Sequence, residues 1–249
     1  MIHLKNKTDV EKMRKAGRLT KMAIDYVGSH IKPGVTTSHL DKLACDFIIK
    51  NGGQPSFLNY NGFPASACIS VNDVVVHGIP GNRVIEEGDI VSVDLGAYID
   101  GFHGDCARTF AVGNTAKDAL KLIDVTRESF FRGLSEAKAG KRIGDIAAAI
   151  QGYAEGSGCS VVVDLVGHGI GRNLHEDPSV PNFGVAGRGV RLVKGMTLAI
   201  EPMINAGGHK VYTEEDGWTV KTSDGSLSAH YENTILITDG EPEILTTAK

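Results

Sequence analysis

Asp89-Ile90-Val91-Ser92-Val93-Asp94-Leu95-Gly96-Ala97-Tyr98-Ile99-Asp100-Gly101-Phe102-His103-Gly104-Asp105-Cys106-Ala107-Arg108-Thr109-Phe110 is the stretch on which the fold turns. Asp100-Gly101 is a favoured two-residue turn, so it pairs Ile99 with Phe102 and extends an antiparallel ladder outward. In that register Asp94 faces Ala107. Asp105, two residues from Ala107, then shares a face with Asp94 as its diagonal neighbour, about 7–8 Å away at the backbone. Ser92, Gly96 and Tyr98 lie on the same face, while Val91, Val93 and Leu95 point the other way. Burying two like charges on one face is costly unless a cation sits between them. The hairpin therefore reads as a metal-binding face, against the plainer alternative of a solvated strand.

Outward from the hairpin, strand-like runs cover 67–76, 89–99, 102–112, 160–166, 197–204 and 230–238. Helical spacing governs the other long segments. Thr8 to Glu11 has the form of a capping box, followed by Val10, Met13, Gly17, Ile24 and Val27 at helical intervals until Gly28. Ser38 to Asp41 repeats the device ahead of Leu40, Leu43, Ala44, Phe47 and Ile48, and Thr115 to Asp118 opens a third helix reaching about Lys138. A fourth runs from about Ile143 to Gly156. Helices and strands segregate instead of alternating, which predicts an α+β chain and not a doubly wound sheet.

The chain also repeats itself. Lys32-Pro33-Gly34 returns as Lys138-Ala139-Gly140, an offset of 106. Glu86-Glu87-Gly88-Asp89-Ile90-Val91-Ser92-Val93-Asp94 returns as Val193-Lys194-Gly195-Met196-Thr197-Leu198-Ala199-Ile200-Glu201, an offset of 107. In both copies a glycine precedes, by six residues, a carboxylate that closes an apolar strand. We read one domain, residues 1–249, built of duplicated halves of about 1–112 and 113–249. Glu201 then corresponds to Asp94. Glu232, in His230-Tyr231-Glu232-Asn233-Thr234, and His168, in Val166-Gly167-His168-Gly169-Ile170-Gly171, are further candidate ligands.

Composition narrows the rest. The 249 residues carry 26 basic and 30 acidic side chains, a net charge of −4, with no dominant basic stretch to mark a nucleic-acid binder. Cys45, Cys68, Cys106 and Cys159 are scattered with no CxxC pair, which fits a reducing cytoplasm and excludes a thiolate zinc site. Residues 1–18 are polar without an apolar signal-type core, and no run approaches the roughly 20 apolar residues of a membrane span. A soluble cytoplasmic protein is expected.

Asp94, Asp105 eleven residues on, His168 in Gly-His-Gly-Ile-Gly, Glu201 in Glu-Pro and Glu232 before Asn-Thr together resemble the methionine aminopeptidases, most closely their type I bacterial branch. Val76-His77-Gly78-Ile79-Pro80, Gly104-Asp105-Cys106-Ala107-Arg108-Thr109-Phe110 and Leu174-His175-Glu176 fit the same family, and the resemblance spans the whole chain. It implies the pita-bread fold, two related α+β halves around a curved antiparallel sheet, with a dinuclear metal site between them. By resemblance Asp105 and Glu232 bridge two divalent ions (Mn²⁺, Fe²⁺, Co²⁺ or Zn²⁺), Asp94 completes one, and His168 with Glu201 completes the other. The four acids contribute −4 and two divalent ions +4, in an oxygen-rich site of the kind such ions favour. The resemblance further implies that His77 and His175 contact substrate and the tetrahedral intermediate. Glu201 is the candidate proton shuttle, and Tyr60, Phe63, Cys68 and Trp218 line a methionine pocket. Asn61 departs from the histidine often found beside that tyrosine in enterobacterial members.

The implied activity is removal of initiator methionine from nascent polypeptides with a small second residue, by a cytoplasmic monomer acting near the ribosome. Proline-specific aminopeptidases and dipeptidases share the five ligands but usually carry an additional N-terminal domain, for which Asp94 arrives too early. Non-catalytic binding modules of the fold lose ligands, whereas this chain keeps all five.

Overall fold

Asp100 and Gly101 both adopt positive φ (53° and 86°), as a tight two-residue hairpin turn requires. The computed structural model describes residues 1–248. In it the strands Ile90–Ile99 and Phe102–Ala111 pair over their full length. Their register is the expected one, with Asp94 opposite Ala107 and Asp105 opposite Gly96. The apolar face of this hairpin is covered by two helices, α1 (Lys7–Gly28) and α2 (Thr37–Lys50). Leu19, Ala23, Ile24, Leu40 and Ile48 pack there against Val91, Val93 and Leu95. The approach is close enough to require glycine: a Cβ on Gly104 would lie 2.9 Å from Gly17 Cα.

The second half places α3 (Lys117–Glu136) and α4 (Ile143–Gly156) against the antiparallel strands Thr197–Ile200 and Asn233–Leu236. Phe130, Ile146 and Ile150 meet Leu198, Ile200 and Ile235 in that core. Local geometry recurs between the halves. Gly34 N–H donates to Ile85 O and Gly140 N–H to Leu192 O, each at 2.9 Å, and Thr36 bridges Val84 as Arg142 bridges Arg191. Gly88 and Gly195 share a φ of 89° ahead of their strands. These recurrences parallel the glycine-strand-acid repeat of the sequence. The halves meet where Thr234 Oγ1 accepts from Asp105 N–H at 2.9 Å and donates to Asp105 O at 3.0 Å, while Glu232 N–H donates to Ala107 O at 3.0 Å.

Three expected caps are displaced. Helix α1 starts earlier, with Asn6 as N-cap in a reciprocal box with Asp9, so Thr8 lies inside the helix. Thr36, not Ser38, caps α2, and the Asp41 carboxylate accepts from Ser66 and Ala67 N–H groups. Thr115 Oγ1 bonds back to Val112, and α3 begins without a side-chain cap. The long strands also break. Run 67–76 divides at Asn72, whose φ is 57°. In run 160–166, strand pairing stops after Val161. Runs 197–204 and 230–238 both break around their acids.

Candidate active site

Each half delivers its acids by a different local device. In the first, the unbroken ladder makes Asp94 and Asp105 diagonal neighbours, and Cys68 pairs with Asp94 from the adjacent strand Ala67–Val71. In the second, Pro202 follows Glu201 and removes a backbone donor, so the ladder is interrupted there. Ile200 pairs with Asn233, and Met203 with His230, in one continuing register. That register sets Glu201 opposite Glu232. Like charges directly opposed across two strands are destabilising.

The five candidate ligands and both further histidines line one cleft of about 240 Å³, together with Tyr60, Asn61, Phe63, Cys68 and Trp218. His168 Nε2 lies 3.5 Å from Glu201 Oε1 and 3.9 Å from Asp105 Oδ2. Its Nδ1 faces Gly169 O at 2.8 Å, which orients the ring. His175 Nδ1 is 2.7 Å from the Tyr60 hydroxyl, and the His168 and His175 rings are 4.1 Å apart. His77 adopts left-handed backbone (φ 59°) beside Gly78, where a Cβ would meet Ile69 O at 2.4 Å. Its ring stands edge-on to Trp218, which in turn stands edge-on to Phe63. Asn61 also has a positive φ, 51°, a conformation that asparagine tolerates better than most residues.

Electrostatically the acids are stranded. Among the described residues no lysine or arginine pairs with the four carboxylates; His168 lies near Asp105 and Glu201, and His230 near Glu201. Arg108 donates to the backbone carbonyl of Glu232, not to its carboxylate. Burial, and then Asp105 and Glu201, pushes the Asp94 carboxyl far above its ordinary range, and burial with Asp105 does the same to Glu201. Glu232 is driven up by burial and by Asp105, Glu201 and Asp94, and Asp105 is raised by burial to about 7. Burial followed by His175 lowers His168 to about 3, and burial lowers His77 and His175 as well. The histidines are thus neutral donors or ligands.

Asp94 Oδ1 and Glu232 Oε1 are buried without a hydrogen-bond partner. Donor atoms of Asp105, His168 and Glu232 lie within 4.8 Å of one another. Four acids without a cation and orphaned oxygens facing one cleft fit divalent metal ions and little else.

Phe57 and Leu174 also line the cleft, and His230 stands beside it, none of them singled out as a site residue by its sequence setting. His230 Nε2 is buried, unpartnered and 3.7 Å from Glu201 Oε2. Strand alternation held the signal for His230, two residues from Glu232. Phe57 carries no signal beyond being apolar, and Leu174 none beyond its place beside His175.

The family model described as metallopeptidase family M24 matches residues 11–239. The chain belongs to metallopeptidase family M24. This M24 chain is 54% identical to a methionine aminopeptidase of Clostridium perfringens over 249 residues, all of both chains. A solved methionine aminopeptidase from Thermotoga maritima superposes with a TM-score of 0.98 at 47% identity, covering 99% of this chain and 100% of that one. The Xaa-Pro dipeptidase of Bacillus anthracis shares the fold (TM-score 0.81, 24% identity), and its match covers 99% of this chain and 62% of the dipeptidase. The M24 chain is a metal-dependent hydrolase with the pita-bread architecture.

Proposed function

We propose that this M24 peptidase removes the N-terminal methionine from nascent polypeptides whose second residue is small. Curated methionine aminopeptidases match it over their full length at about half identity. The match to proline-specific relatives, at 23–24% identity, speaks for the fold and covers only about two thirds of their length. The observation that carries the reading is the juxtaposition of a cation-demanding acid cluster with a cleft walled by Tyr60, Phe63, Cys68 and Trp218. An unbranched thioether side chain suits aromatic walls of this kind, at about 0.3–1.5 kcal/mol per sulfur contact.

Asp94, Asp105, His168, Glu201 and Glu232 would hold two divalent ions. The chemistry those ions supply is Lewis acidity towards the scissile carbonyl and activation of water near neutral pH. The chain's own side chains do the remaining work. In the tautomer whose Nδ1 accepts from the Tyr60 hydroxyl, neutral His175 carries its proton on Nε2, ready to donate to the oxyanion that develops at the carbonyl. His77, fixed by its left-handed backbone and by Trp218, holds the peptide of the second residue. Glu201, between His168 and His230, takes a proton from the attacking water and returns it to the leaving amine.

Among the described residues no helix is long and apolar enough to cross a membrane. The reading extends to a cytoplasmic monomer that meets its substrates as they leave the ribosome. A set of Met-Xaa peptides compared by kcat/KM at fixed metal and pH tests the reaction. Met-Ala, Met-Gly and Met-Ser are expected to be cut well and Met-Lys or Met-Phe poorly. Norleucine in place of methionine should still react slowly, because so small a side-chain change is worth only about 1–3 kcal/mol. Equal rates for alanine and lysine at the second position would rule out selection for a small second residue, and preference for Xaa-Pro would rule out the reaction.

A further inference from the structure

The segment ahead of α1 crosses from the first helix pair to the second half. Ile2 packs against the core under α3 and α4, and Lys5 N–H donates to Gly195 O at 2.8 Å. The Lys5 ammonium turns inward, donating to Glu176 Oε2 at 2.6 Å and to His3 O at 3.0 Å. Both side chains of this ion pair are only 5% exposed. Burying two charges is costly, and holding a register is the best-attested return for it.

Glu176 directly follows His175. Its Oε1 accepts from Asn173 N–H at 3.2 Å, so one carboxylate both closes the turn around Leu174 and His175 and ties it to Lys5. The start of the turn is held by His103 N–H donating to Gly171 O at 2.8 Å. A Cβ on Gly171 would lie 2.5 Å from Lys5 Cε and 2.7 Å from Glu176 Oε1, against the ends of both paired side chains. On the other side, the Asn6 capping box fixes the backbone immediately after Lys5.

We infer that Lys5 and Glu176 form a positioning clamp that holds the 171–176 turn so that His175 faces the cleft and Tyr60. The clamp rests on the reading that His175 touches substrate. Neither residue contacts the acids of the metal centre. The test compares the full-length wild-type chain with Lys5→Met and, because that variant strands a buried carboxylate, with Gly171→Ala, whose methyl presses on the ends of both side chains without removing a charge. Amide hydrogen exchange at 171–177, bound Mn²⁺ per chain, and kcat and KM on Met-Ala-Ser are read for each. Both variants are expected to exchange faster in this turn and to lose about 10-fold or more in kcat, the scale of a lost outer positioning partner, with Mn²⁺ content unchanged. Unchanged exchange, or faster exchange with unchanged kcat, overturns the clamp. Loss of Mn²⁺ in step with activity overturns it too, by assigning the pair to the metal centre. Full turnover by His175→Ala would instead overturn the role of His175, and exchange, which needs no turnover, separates the two failures.

Discussion

His77 is held where an L-residue pays about 1–2 kcal/mol for left-handed backbone, against Gly78 packed on a carbonyl. Such strain persists where the surroundings over-determine it, and here it aims an imidazole into the cleft. His175 is held by a hydrogen bond to Tyr60. If both act on substrate and not as ligands, His77→Ala and His175→Ala should lower kcat by about 10–10³-fold while bound metal stays near wild type. Parallel metal analysis and steady-state kinetics check this; loss of metal from either variant would contradict the assignment. The candidate acids and histidines were legible individually because each sits in a short distinctive setting, such as a Gly-flanked histidine or an acid ending an apolar strand. The opposition of Glu201 and Glu232 was not. It depends on two ladder segments keeping one register across a proline, which no local pattern reports.

At the level of elements, the Asp-Gly turn determined its hairpin completely, since turn type and register are linked by two dihedral requirements. Helix caps were less legible because several side chains near each start have the right chemistry. Asn6, Thr8, Thr36 and Ser38 are all competent, and tertiary contacts choose among them. Asp41 is drawn to Ser66 and Ala67, leaving Thr36 to cap α2. The α1 cap gives a clean comparison. Asn6→Ala should cost about 1 kcal/mol, or roughly 2–4 °C in melting temperature for a chain of this size. Thr8→Ala should change the melting temperature by much less, because the structure gives Thr8 no capping bond. Calorimetry on both variants decides between the two helix starts.

Across the whole molecule, the acid cluster makes stability depend jointly on metal and pH. In the metal-free chain Asp105 has its folded pKa raised to about 7, above the ordinary carboxylate value of 3.8, and Asp94, Glu201 and Glu232 are raised as well. The folded state therefore keeps protons that the unfolded state has already released. These carboxylates lower stability as pH rises from about 4 through 7, while the buried neutral histidines act the other way below about 6.5. Chelator-treated protein should melt at a lower temperature at pH 8 than at pH 7, a window in which histidine is largely neutral whether folded or unfolded, and adding Mn²⁺ or Co²⁺ should restore most of the loss at pH 8. A metal-free chain equally stable at both pH values would show that the carboxylates are balanced by something other than metal. The glycine-strand-acid repeat is readable in the sequence, and its glycines, Gly88 and Gly195, share a φ of 89°. How the two halves interlock was not readable, because it runs through Thr234 and the backbone of Asp105, two groups whose local sequence says nothing of each other.

That interlocking has a consequence for a severed chain. Asp94 and Asp105 belong to one side of the exposed Gly113-Asn114 link, and His168, Glu201 and Glu232 to the other. Neither fragment owns a full ligand set, yet each carries its own helix pair and a surface shaped for its mate. Two separately produced pieces, cut at this link, should therefore act as a split reporter: inert and weakly associated when mixed in chelator, and reassembling into an active pair when a divalent ion is titrated in. Fluorescence-detected association against ion concentration would read the event directly, and tight pairing independent of the ion would show that packing alone joins them.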